Sequence, residues 1–106
     1  MKISITARHF EGMTPALKKE VESRLGHLEH FFPRIIEARA ILIEEKHRKI
    51  AEVTIHLPAG KRLAAKEEGT DMRAAVDFAV KKIETQIKKV KERKQDKKKA
   101  RGTKGQ

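Results

Sequence analysis

The spacing of apolar residues changes along this chain in a set order, and that order leaves few folds open. Lys2-Ile3-Ser4-Ile5-Thr6-Ala7-Arg8 alternates with period two, which puts Ile3, Ile5 and Ala7 on one face of a strand and Lys2, Ser4, Thr6 and Arg8 on the other. Leu17, Val21, Leu25, Leu28 and Phe32 then recur at steps of four, four, three and four, the stripe of an amphipathic helix. Thr14 can cap that helix and Pro15 suits its first turn, where a missing N–H costs nothing, while Pro33 ends it. The spacing predicts a helix over about residues 14–31. Period two returns at Ala38 and runs through Ile41, Leu42 and Ile43, breaks at the charged stretch Glu44 to Lys49, and resumes where Ala51, Val53, Ile55 and Leu57 alternate with Glu52, Thr54 and His56. Those two strands are expected to pair as a hairpin. Pro58-Ala59-Gly60 reads as a turn, and Arg62 to Glu68 as a more polar fourth strand with Leu63 and Ala65 inward, suited to a sheet edge. After Gly69, with Thr70 or Asp71 as cap, Met72, Val76, Ala79, Ile83, Ile87 and Val90 mark a second helix whose stripe stops at Val90, where the helix is expected to fray.

Each helix has one apolar stripe and each strand one apolar face. The predicted fold is therefore α+β, in the order β-α-β-β-β-α, with two helices packed on one face of a four-stranded sheet and the other face polar and wet. A right-handed crossover through the first helix would set the first strand parallel to a neighbour. With 106 residues and 12.1 kDa, the chain has apolar surface for one core. Charge separates that body from an appendage: residues 1–87 hold 16 Lys or Arg against 13 Asp or Glu, whereas residues 88–106 hold 10 against 2. The expected organisation is a domain over residues 1–94 and a disordered basic tail over 95–106, where no apolar residue is larger than Ala100.

A formal charge of +11 points to a polyanionic partner. The absence of cysteine excludes disulfides, thiolate metal clusters and a cysteine nucleophile, and agrees with a cytoplasmic location. The N-terminus lacks the apolar stretch of a signal peptide and no run is long enough to cross a membrane, so neither secretion nor membrane association is expected. Signals for catalysis are weak. His27 and His30 have the spacing of two ligands on one helix face but no evident third. His9 follows Arg8 at a strand exit without a nucleophile placed beside it, and within Glu44-Glu45 and Glu67-Glu68 the carboxylates point to opposite faces. No glycine pattern makes a phosphate loop. The expectation is a protein that is not an enzyme, with no metal, no cofactor and no small-molecule substrate.

Nucleic acid fits the charge better. There is no Trp or Tyr, and Phe32 and Phe78 sit on or beside apolar stripes, leaving Phe10 and Phe31 as candidate stacking surfaces. Base stacking is thus poorly equipped, and phosphate contacts to an RNA of preset shape are favoured. Lys81, Lys82, Lys88, Lys89 and Lys91 lie mainly off the second helix's stripe and form a basic ridge running toward the tail. On the first helix Lys18, Arg24 and His27 flank the stripe, diluted by Glu20, Glu22 and Glu29.

Four segments, Ile5-Thr6-Ala7-Arg8-His9, Thr14-Pro15-Ala16-Leu17-Lys18-Lys19 with Val21 to Leu28, Glu52-Val53-Thr54-Ile55, and above all Glu67-Glu68-Gly69-Thr70-Asp71-Met72-Arg73-Ala74-Ala75-Val76-Asp77, occur in a distinctive order and spacing. Through them the chain resembles, across most of residues 1–90, the ribosome hibernation promoting factors, also called ribosome-associated inhibitors or sigma-54 modulation proteins. Ala7 stands where that family has glycine and Arg73 where it has tyrosine. The resemblance implies a domain lodged in the small ribosomal subunit between head and body, contacting its rRNA at the decoding region and blocking mRNA and tRNA. By position, Arg8, Arg24, Lys81, Lys82, Lys88, Lys89 and Lys91 would face the RNA. The protein is expected to be monomeric off the ribosome, and a chain ending at Gln106 is not expected to pair ribosomes through the second domain of longer members. A general double-stranded RNA- or DNA-binding module and a protein-interaction module are the competing readings.

Overall fold

The computed structural model describes residues 1–103 of the chain, with side chains for residues 1–90. Its elements are β1 (Lys2–Arg8), α1 (Pro15–His27), β2 (Glu37–Glu45), β3 (Arg48–His56), β4 (Arg62–Gly69) and α2 (Met72–Thr103). The last turn predicted for α1 tightens into a 3-10 turn, Leu28–His30, and a second 3-10 turn, Pro58–Gly60, joins β3 to β4. Sheet order is β1-β2-β3-β4, with β1 parallel to β2 and the other pairs antiparallel, so the fold is the mixed four-stranded α+β arrangement expected.

Capping starts both helices. Thr14 Oγ1 accepts from the Leu17 amide at 3.1 Å, and Asp71 Oδ1 accepts from the Ala74 amide at 2.8 Å, which settles the second cap on Asp71. Leu17, Val21, Leu25 and Leu28 from α1 and its following turn join Met72, Val76, Ala79, Ile83 and Ile87 from α2 in one buried cluster. The inward residues Ala38, Ala40, Leu42, Ala51, Val53 and Ile55 of β2 and β3 complete it. Helix α1 lies against β1, and α2 spans β3 and β4.

Three expectations change. The charged stretch from Glu44 to Lys49 does not interrupt the hairpin: β2 reaches Glu45, β3 starts at Arg48, and only Lys46 and His47 turn the chain, with Lys46 at φ 56°. Those charges are cross-strand pairs, Lys49 with Glu44 at 2.9 Å and Arg48 with Glu68 at 3.1 Å. The helix-free face is not wholly polar, because the cross-strand pair Ile43 and Ile50 is buried there, outside the main cluster. Phe10 and Phe31 pack against the core rather than standing free, while Phe78 is 48% exposed. Helix α2 is assigned through Thr103, so its backbone crosses position 94, while the side chains of residues 91–103 and all of residues 104–106 lie outside the described residues, and with them most of what was expected of the tail over residues 95–106.

Candidate nucleic-acid interface

Where α1 and α2 meet, the seam is apolar inside and ionic outside. Arg73 Nε donates to Glu20 Oε1 at 2.6 Å, Arg24 Nη2 to Glu20 Oε2 at 3.3 Å and Nη1 to Asp77 Oδ1 at 2.7 Å, and Lys81 Nζ lies 3.1 Å from Asp77 Oδ2. Three cations from two helices thus share two carboxylates. The hydrogen bond from Arg73 holds the Glu20 carboxyl below its ordinary value, outweighing partial desolvation, and Arg24 adds to the effect. The same bond holds the Arg73 guanidinium above its ordinary value. Arg24 is half-buried, and its Nε is enclosed without a partner.

Beside this seam is a groove of about 450 Å³, lined by His27 and His30 from the α1 side and by Asp77, Lys81 and Glu84 from α2. The two imidazole centroids are 4.9 Å apart, and His27 meets the Phe31 ring edge-on at 5.6 Å. Lys88 Nζ lies over that Phe31 ring, 5.8 Å from its centroid. Among the described residues no three His, Cys, Asp or Glu side chains converge as metal ligands, and no polar side chain is fully buried. Charges here are held at the surface with water at hand, an arrangement suited to binding phosphates rather than to activating a nucleophile.

The lysine ridge expected on α2 is two rows. With about 100° of rotation per residue, Lys81 and Lys88 fall on the flank toward α1 and Lys82 and Lys89 on the flank toward β4. The contacts agree: Lys81 pairs into the seam and Lys88 covers Phe31, whereas Lys82 Nζ lies 3.3 Å from Glu67 of β4. Lys89 is exposed, and Gln86 on the same flank donates to the Ala64 carbonyl of β4 at 2.9 Å. Of the residues singled out from sequence, Arg24, Lys81 and Lys88 are therefore brought together along the seam, and Lys82 and Lys89 stand on the other flank. Arg8 is set apart: its register beside Ile43 puts it with Lys2, Ser4 and Thr6 on the sheet face away from the helices. The Lys91 side chain is outside the described residues.

Sequence reading missed the bridging acids Glu20 and Asp77 and the exposure of Phe78. The last of these was signalled by phase, because Phe78 lies two positions past Val76 and one before Ala79, off the stripe that both belong to.

Among the described residues no helix is long and apolar enough to cross a membrane. The profile of the family described as "Sigma 54 modulation protein / S30EA ribosomal protein" matches residues 3–95. A ribosome hibernation promoting factor of Klebsiella oxytoca is 36% identical over 93 residues, covering 88% of this chain and 96% of that protein. One from Pseudomonas putida is 34% identical over 95 residues, covering 90% and 91%. Among solved structures, a ribosomal subunit interface protein from Coxiella burnetii superposes with a TM-score of 0.78 at 31% identity, covering 86% of this chain and 98% of that one. The N-terminal domain of Thermus thermophilus Protein Y gives 0.74 at 32% identity, covering 85% and 99%.

Proposed function

Because the chain belongs to the sigma 54 modulation protein / S30EA ribosomal protein family, we propose that it is a ribosome hibernation factor, a protein that binds ribosomes and represses translation without being an enzyme. The observation from the fold that supports this reading is the solvent side of α2, where two lysine rows project from a helix anchored by its buried stripe. Rows of cations on a rigid helix suit RNA phosphates whose positions are already set. The partner is the small ribosomal subunit, met through its rRNA at the decoding region, and inhibition is steric: mRNA and tRNA cannot occupy the space the domain fills. The protein is cytoplasmic, monomeric off the ribosome, and carries a basic tail over residues 95–106 as an added electrostatic anchor.

Within the proposed interface, Lys82, Lys88 and Lys89 touch the RNA directly. Arg24 bridges α1 to Asp77 of α2 and, with Lys81 paired to the same carboxylate, meets the RNA from the seam, and Arg8 and Lys91 are further RNA contacts.

Co-sedimentation with purified vacant small subunits at moderate salt tests the reading, with excess bulk duplex RNA as competitor. The expected result is saturation at about one chain per subunit that survives the competitor, with loss of association when Lys81, Lys82, Lys88 and Lys89 are together changed to Gln and circular dichroism is unchanged. Association lost to the competitor would favour a general duplex-binding module, and unchanged association of the fourfold variant would overturn the lysine rows as the contact surface.

A further inference from the structure

Phe78 has no role in the core, and its position gives it one elsewhere. It is a large apolar side chain, 48% exposed, on a helix whose other large apolar side chains through Ile87 are buried. Its ring makes no aromatic or cation contact among the described residues. Isolated exposed apolar residues are common and by themselves mean little. What distinguishes Phe78 is its neighbourhood. By helical phase it falls in the strip between the Lys81/Lys88 row and the Lys82/Lys89 row. The other described residues of that strip, Ala74 and Thr85, are short. Lys81 and Lys82, one turn on, are drawn aside by Asp77 and Glu67 to opposite flanks, which leaves the space above the ring open.

We infer that Phe78 is a stacking platform for an unpaired RNA base, with the backbone phosphates on either side of that base held by the two lysine rows. A flat π surface between cations is complementary to a nucleotide in both its parts: the base is apolar on its faces and the phosphates are anionic. A protein partner fits less well, since an apolar anchor on its surface would bring its surroundings against four lysines. The inference rests on reading this side of α2 as the RNA-facing surface, and it changes the expectation that this chain is poorly equipped for stacking.

The chain has no Trp or Tyr, so F78W introduces a single fluorophore at the proposed contact. The full-length F78W chain is titrated with vacant small subunits and, separately, with poly(A) at low salt, while R62W, on the far face of the sheet, serves as the control fluorophore. In parallel, ribosome affinity is measured for wild type, F78A, F78L and F78Y over a range of salt. The expected results are quenching of F78W but not R62W by both RNAs, a loss of about five- to a hundred-fold in affinity for F78A, a similar loss for F78L, and recovery in F78Y, with the slope of log affinity against log salt unchanged throughout. Wild-type affinity in F78A, full recovery in F78L, or unquenched F78W in a chain that co-sediments would overturn the inference. If the wild-type chain fails to bind subunits, the hibernation reading falls. The stacking role is then decided by poly(A) alone: quenching supports it and its absence overturns it.

Discussion

Arg73 and Glu20 are 53 positions apart in the chain and 2.6 Å apart in the fold. The pair exists because a side chain long and cationic enough to cross the gap between the helices occupies position 73, where the sequence resemblance leads one to expect tyrosine. Its effect on Glu20 sets a pH dependence. A carboxyl held below its ordinary value stabilises the fold fully above the unfolded-state value, and that stabilisation is lost as pH falls through the lower folded-state value. E20Q is therefore expected to lower the urea midpoint at about pH 7 and to flatten its decline between about pH 5 and pH 3 relative to wild type. Parallel declines in the two proteins would show that the bridge adds nothing in solution. Because the pair is exposed, the effect is expected to be modest and to shrink with added salt. None of this was legible in the sequence, since the registry of two helices separated by three strands of chain depends on packing angle rather than on local pattern.

At the level of elements, the approach of α2 to the end of β4 depends on one missing methyl group. A Cβ on Gly69 would lie 2.6 Å from the Ala75 amide nitrogen and 2.9 Å from Ala74 Cβ, so backbone would have to move to admit it. G69A is expected to cost about 1–3 kcal/mol in thermal or urea unfolding. By contrast, a Cβ on Gly26, near the end of α1, meets nothing within 4 Å, and G26A is expected to stabilise by up to about 1 kcal/mol. Equal effects of the two substitutions would contradict this account of the β4–α2 corner. Element type and order were legible because the periodic stripes that define them are also what the core buries: every residue of the α2 stripe from Met72 to Ile87 is buried. The hairpin was harder. Glu44, Glu45, Lys49 and Arg48 look like a loop to any reading by polarity, and only pairing with opposite charges across the strands lets them extend it. The division of the lysine ridge into two rows was half legible: the seven-residue spacing identifies each row, but of the acids that draw the rows apart only Asp77 lies on α2 itself, and Glu67 comes from β4.

For the molecule as a whole, the proposed binding through lysine rows would make affinity a steep function of salt. Each phosphate neutralised contributes about 0.7–0.9 to the slope of log affinity against log salt. Changing Lys88 and Lys89 together to Gln is expected to reduce that slope by about 1.5 while leaving the melting temperature unchanged, because neither residue is paired with an acid among the described residues. A weaker complex with an unchanged slope would mean that these side chains act through something other than phosphate. The sheet order has a further consequence, for how such a chain comes into being. Strand β1 is made before the other described strands, and among these its one sheet neighbour is β2, whose partner for Lys2 is Glu37 and for Arg8 is Ile43. The β2–β3 hairpin can close as soon as it is synthesised, and β4 can add to it directly. The antiparallel pairs thus close short loops, whereas β1 must hold Ile3 and Ile5 in water until a whole helix later β2 offers them a place.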